Sequence, residues 1–310
     1  MTTDTRPPRT PSRSRSGGRT RFRGDRPTGL GLNKPSRSDA GGRLFVHVAL
    51  IIFVIVAIGP ILIVVMNSLK TTPGIFNGPF LPPTAETFNL DGWANVFKRG
   101  NFALNYGNSI IVTLVSTLLT LVLSTFAAFA ITEYKVKLAP VLAGFFIIGI
   151  MLPIRLGTVP ILQTMVAWHL VDTLVALILV YTAMSLPLAI ALMATFFRRV
   201  PMELKEAAKI DGAGELRTLS IVLPLVRPGL AAVASVTMLP IWNDLWFPLI
   251  LAPSKENQTV TLGVQQFVGQ FQSDYPALLA ALTLGALPLV ILFTVFSRNF
   301  IQGLSQGYGK

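Results

Sequence analysis

The chain has 310 residues, 52% of them hydrophobic and only 13% charged, with a mean hydropathy of +0.61. A soluble domain carries about 25% charge, so this composition, together with several uncharged apolar runs, excludes a soluble globular protein and a disordered one. Cysteine is absent, which removes disulfides, thiolate nucleophiles and cysteine-bound metals, and the two histidines, His47 and His169, stand far apart in the sequence without further obvious metal ligands.

The net charge of +12 is concentrated at one end. Residues 1–43 hold eleven basic side chains against three acidic ones, a net +8. Rich in Arg, Ser, Pro, Thr and Gly, with Phe22 as its only aromatic residue, this tail buries too little apolar surface to offset the entropy of ordering and is expected to be disordered. It lacks the interleaved aromatics of a strand-binding surface, so no nucleic-acid partner is expected; it reads as a topology anchor or a polybasic patch facing anionic lipid.

Charge-free runs follow in chain order: Leu44 to Met66, Ser109 to Ile131, Leu138 to Ile154, Leu174 to Phe197, Gly229 to Leu251 and Pro276 to Phe296. They predict an all-α integral membrane fold of six spans over residues 44–310. The first run is too long for a signal peptide and lacks a small-x-small cleavage site after it, so it is read as a retained helix. Counting basic residues close to the spans gives 14 on the side of the N-terminus against five on the other, which predicts that both termini are cytoplasmic. Pro60, Pro153, Pro187, Pro240, Pro248 and Pro288 punctuate the spans and would free carbonyls that neighbouring helices must satisfy. The segment from Thr71 to Asn108, on the outer side by this topology, reads as a short structured cap. Asp244, near the middle of the fifth run with Asn243, Trp242 and Trp246 beside it, is a candidate for the solute path, and a structural hydrogen bond between helices is the competing reading. Thr113, Ser116, Thr117, Thr120 and Ser124 are expected at helix–helix contacts.

The loop from Arg198 to Arg227 carries the strongest signal. Pro201 suits the start of a helix of about eleven residues, Glu203 complements the positive end of its dipole, and Gly212 suits a left-handed end. Leu204, Ala207 and Ala208 fall on one narrow face of small side chains, fit either for docking or for lying on a bilayer.

Glu206-Ala207-Ala208, then Gly212 four residues on, then Ile221-Val222-Leu223-Pro224, resemble the Glu-Ala-Ala signature of binding-protein-dependent ABC importer permeases. Asn108-Ser109, Met151-Leu152-Pro153, Trp242-Asn243-Asp244 and Gly303-Leu304 extend the resemblance to the carbohydrate branch, specifically the smaller permease of the maltose type, over roughly Leu44 to Lys310. The family usually places nine residues between the signature glycine and the Ile-x-Leu-Pro element, whereas Ala213 to Ser220 is eight. One missing residue turns a helix by about 100°, so the facing of Glu215 to Ile221 is not carried over.

The resemblance implies a type I importer bundle in a bacterial cell membrane, with a cytoplasmic coupling helix seated in an ATPase subunit through Glu206, Ala207, Ala208, Asp211 and Gly212. It implies a second permease subunit, two ATP-binding subunits, an external solute-binding protein and a sugar as cargo. The chain itself has no Gly-x-x-x-x-Gly-Lys-Ser/Thr loop, so ATP and Mg are expected on the partner subunits, with no cofactor or metal on this one. The alternatives are a permease of the same family for a non-sugar solute and an ion-coupled secondary transporter. The sequence has one central carboxylate and no obvious repeat to support the latter, and clustered catalytic groups for an intramembrane enzyme are missing.

Overall fold

The computed structural model describes residues 38–99, 101–134, 139–151, 153–269 and 273–305. Most of the basic tail (residues 1–37), Lys135, Lys137, Leu138, Leu152 and the end of the chain from Gln306 to Lys310 lie outside these residues. By its internal contacts the chain divides into two units, residues 1–55 and 56–310. The first holds the opening turns of α1 (Ser38–Asn67); the second holds the remainder of that helix and everything after it.

The helices of the second unit run in order as α2 (Thr72–Asn77), α3 (Asp91–Arg99), α4 (Phe102–Glu133), α5 (Ala139–Met151), α6 (Thr158–Ala167), α7 (Leu174–Phe197), α8 (Met202–Ile210), α9 (Glu215–Val222), α10 (Arg227–Asn243), α11 (Trp246–Leu251), α12 (Val260–Val264) and α13 (Tyr275–Ser305). Short 3₁₀ turns cover Ile154–Gly157 and Gln265–Phe267. No strand occurs among the described residues, which contain one isolated antiparallel bridge, Lys70 to Phe88.

Three helices are long and apolar enough to cross a membrane singly: α1 from Leu44, α4 and α7. At 1.5 Å per residue, the 32 residues of α4 span about 48 Å, well beyond a hydrocarbon core of about 30 Å. α7 covers the same residues as the fourth apolar run, whereas α1, α4 and α13 extend past theirs at both ends. Two further helix pairs reach the length and apolarity of a span only when taken together across a sharp bend. α5 meets the 3₁₀ turn and α6 at 89°, and α9 meets α10 at 82°. The described apolar part of α13 is the shorter stretch Tyr275–Ile291.

Two of the apolar runs are not single helices. The third is a 13-residue helix that stops at Met151, because Pro153 lacks an amide proton and disfavours helix at the residue before it. The fifth is not one helix to Leu251: α10 ends at Asn243 and the backbone is extended at Asp244 (φ −72°, ψ 134°). Pro248 explains the position, since a proline has no N–H for the carbonyl four residues earlier and its ring collides with it. The carbonyl so freed is that of Asp244, and Thr261 Oγ1 of α12 donates to it at 2.7 Å. Pro288 repeats the arrangement in α13: the carbonyl four residues back, Leu284, accepts from the Tyr106 hydroxyl of α4 at 3.1 Å.

The bundle is organised around α4 and α7. One apolar cluster joins Ala128 and Phe129 of α4 to Ile190, Met193 and Phe197 of α7, with the Phe129 and Phe197 rings edge to face at 5.7 Å. A second joins Val112 to Leu177, Val180 and Tyr181. Between them Thr113, Ser116, Thr117, Thr120 and Ser124 are all buried on α4. Only Ser116 reaches across, its hydroxyl donating to the Ile178 carbonyl of α7 at 3.4 Å, while Thr120 and Ser124 bond carbonyls of their own helix. Small hydroxyl side chains thus serve mainly to let the two helices approach closely.

The cap segment folds around Lys70, which is fully buried and donates to Asn67 Oδ1 (2.9 Å) and the carbonyls of Gly78 (2.9 Å) and Leu81 (2.5 Å). Burial lowers the pKa of this lysine, and the three oxygens compensate its charge. α3 then packs on the start of α13: a Cβ at Gly92 would stand 2.5 Å from the Pro276 carbonyl carbon, and Asn95 Nδ2 donates to Asp274 Oδ2 at 2.9 Å.

Candidate functional site

α8 is a nine-residue helix rather than eleven. Pro201 is its N-cap, with ψ of 135° keeping it outside the helix, and Asp211 is its C-cap. Gly212 follows with φ +75°, its N–H bonding the Lys209 carbonyl (3.0 Å) while the Ala213 N–H bonds that of Ala208 (2.9 Å). The left-handed end is the one expected from the sequence, and this pair of hydrogen bonds makes it a Schellman motif. It stops the helix sharply and sends the chain directly into α9.

The facing of α8 differs from the apolar face expected at Leu204, Ala207 and Ala208. Ala208 is turned inward together with Lys205, whereas Leu204 and Ala207 are exposed. The outward stripe is Glu203, Glu206, Ala207 and Ile210, at i, i+3, i+4 and i+7, and Ile210 is 85% exposed. Asp211 and Gly212 extend this surface. The signature residues are therefore together, but Ala208 supports the helix from behind instead of standing at its outer face.

Lys205 faces inward because it has a partner there. Its ammonium forms an ion pair with the Glu133 carboxylate at the end of α4, with both side chains almost fully buried, and donates to the Phe197 carbonyl at the end of α7 at 3.4 Å. Sequence reasoning missed both Lys205 and Glu133 as a site. The available signal was the lysine immediately before Glu206, three residues from Ala208, and an acidic residue closing the second apolar run. The second half of the loop buries Thr218, Leu219 and Val222 and exposes Leu216 and Ile221. Glu215 opens α9, and Tyr134 is the C-cap of α4. Desolvation, then the charge and hydrogen bond of Glu215, then the charge of Glu133, hold its pKa above the ordinary tyrosine value.

The second candidate cluster separates. Asp244 Oδ2 accepts from the Tyr181 hydroxyl of α7 (2.8 Å) and from the Phe247 N–H (3.0 Å), so this carboxylate ties α7 to the break in α10. Trp242 is buried, donates from Nε1 to the Gly285 carbonyl (2.9 Å) and meets Tyr106 edge to face at 5.6 Å. Asn243 is exposed and bonds the Leu239 carbonyl of its own helix (2.9 Å). Trp246 bonds Thr158 Oγ1 at 3.0 Å, with the Arg155 guanidinium 5.5 Å from its ring centre. A cavity of about 610 Å³ opens elsewhere, between α5–α6 and α7, lined by Met165, Trp168, Met184 and Pro187 among others. Trp242 lines a separate space of about 150 Å³ with Thr113, Met238 and Pro288.

A family model described as the binding-protein-dependent transport system inner membrane component matches residues 120–306, which include all of α7 to α13. The chain belongs to this family. The permease is 35% identical over 263 residues to a putative ABC transporter permease protein, ORF2, of Caldicellulosiruptor sp., covering 84% of this chain and 94% of that one. It is 31% identical to the diacetylchitobiose uptake system permease protein NgcG of Streptomyces coelicolor, over 84% of this chain and 87% of its relative. It is 32% identical to the arabinooligosaccharides transport system permease protein AraQ of Halalkalibacterium halodurans, over 81% and 91% of the two chains. In fold it is similar to a chain from the crystal structure of a bacterial ABC transporter involved in the import of the acidic polysaccharide alginate. That match has a TM-score of 0.75 at 20% identity and covers 86% of this chain and 99% of the other. The permease is thus a multi-pass membrane transport subunit of an ABC importer.

Proposed function

We propose that this permease imports a sugar, pairs with a second permease subunit, receives its cargo from an external binding protein and is driven by two ATP-hydrolysing subunits that dock on α8. The names of its relatives, which include diacetylchitobiose and arabinooligosaccharide systems, support a sugar as cargo. The observation that carries the docking reading is the exposed stripe of Glu203, Glu206, Ala207 and Ile210 on a helix closed by Gly212 and tied down from behind. An exposed isoleucine one turn beyond Glu206, on a stripe that begins with two carboxylates, suits a cleft with an apolar floor and basic walls better than a lipid surface, where acidic headgroups would repel Glu203 and Glu206.

In this reading both termini and α8 lie on the cytoplasmic side, and ATP with Mg acts on the partner subunits. Moving a two-state equilibrium from 1:99 to 99:1 takes roughly 5.5 kcal/mol of differential binding. Nucleotide closure supplies that bias and α8 transmits it as a rigid body. Glu206→Lys is expected to leave membrane insertion intact, weaken association with the ATPase subunits and abolish uptake; undiminished sugar accumulation in that variant would sink the docking reading.

A further inference from the structure

We infer that the Lys205–Glu133 ion pair is the strut through which α8 drives α4 and α7, so that Lys205, turned away from the docking surface, is a positioning residue for coupling. The inference rests on α8 being the ATPase dock.

Two helix ends converge on one ammonium group, which reaches them from the middle of α8. Glu133 is the last residue of α4, and the Phe197 carbonyl belongs to the last residue of α7. Both ends carry the negative pole of their helix, where a carboxylate such as Glu133 is unfavourable by itself and a cation is favoured. Lys205 supplies that cation from α8, buried and out of reach of screening salt. Among the described residues it makes the side-chain hydrogen bonds that link α8 to α4 and α7. Immediately inside the node, Phe129 and Phe197 lock the same two helices together in the apolar cluster. A displacement of α8 is therefore carried to α4 and α7 jointly, along the seam that organises the bundle.

The test uses the complete transporter, with its partner subunits and binding protein, reconstituted in vesicles. Its readouts are ATPase subunit retained, ATP hydrolysed and sugar imported. Lys205→Met/Glu133→Gln removes both charges together and orphans neither, which favours folding. It is expected to retain the ATPase subunits and hydrolyse ATP, with at least a tenfold fall in sugar imported per ATP. The exchanged pair Lys205→Glu/Glu133→Lys restores the link to α4 but not the bond to the Phe197 carbonyl, since a carboxylate at 205 cannot donate, and is expected to recover only part of that ratio. A ratio unchanged in the neutral pair overturns the strut, and so does loss of the ATPase subunits from it, which would make the pair part of the dock alone. Should the neutral pair fail to insert, Lys205→Arg and Glu133→Asp alter the length of the link and keep its charges; uncoupling in either supports the strut, and an unchanged ratio in both overturns it. Absence of ATPase subunits from the unaltered complex overturns the docking reading itself, and the strut with it.

Discussion

Asp244 shows how one side chain changes meaning between sequence and structure. A carboxylate inside an apolar run costs roughly 2.5 to 3.5 kcal/mol on insertion scales, which marks it for function or for pairing. Its partners are Tyr181 and the Phe247 amide, so it caps the chain where α10 ends. Asp244→Asn, which keeps one acceptor oxygen, is expected to leave the apparent affinity for sugar unchanged, while Asp244→Ala loses both bonds and lowers the yield of folded permease. A rise in the half-saturating sugar concentration for Asp244→Asn would return the residue to the solute path. Thr261 and Tyr106 take the carbonyls freed by prolines. Thr261→Val and Tyr106→Phe should each destabilise the bundle by about 0.6 to 1.7 kcal/mol in a denaturation series in bilayer or micelle, the range of single hydrogen bonds between membrane helices. At this scale the sequence was only partly legible: Pro248 was visible, but its consequence falls four residues earlier and depends on a threonine donor on another helix.

At the scale of elements, the ends of α8 were legible because capping is local. Pro201 and Gly212 mark them within a residue or two, the usual uncertainty of helix bounds. Its facing was not, because Lys205 is turned inward by a carboxylate 72 residues away in the chain. Gly212→Ala tests the cap. Nothing stands within 4 Å of an added Cβ, so the cost is purely that of φ +75°, about 1 to 2 kcal/mol for an L-residue. The expected readout is weaker retention of the ATPase subunits with insertion preserved. The α3–α13 contact makes a steric counterpart: at Gly92 a methyl meets backbone at 2.5 Å, so Gly92→Ala should separate the two helices and lower thermal stability measurably, whereas an unchanged melting profile would show that the contact yields freely.

For the whole molecule, apolar runs located the long helices but not their breaks, since hydropathy is blind to a bend between two apolar segments. Pro153 and Pro248 punctuated the third and fifth runs in the sequence, but the way the chain turns there was not legible. Membership of the importer family was legible in the loop signature, and the match over residues 120–306 shows it. The basic tail adds net charge without adding to that signature, so removing residues 1–37 should spare uptake if it only reinforces topology; loss of uptake with normal insertion would assign it a further role. The central claim, that an ATP-hydrolysing partner works this bundle through α8, has a direct test because the chain contains no cysteine. Ala207→Cys places a single thiol on the outward stripe. In the reconstituted complex, a short thiol-directed cross-linker at that position is expected to capture the ATPase subunit, and a complex that transports sugar while yielding no such product would contradict the account.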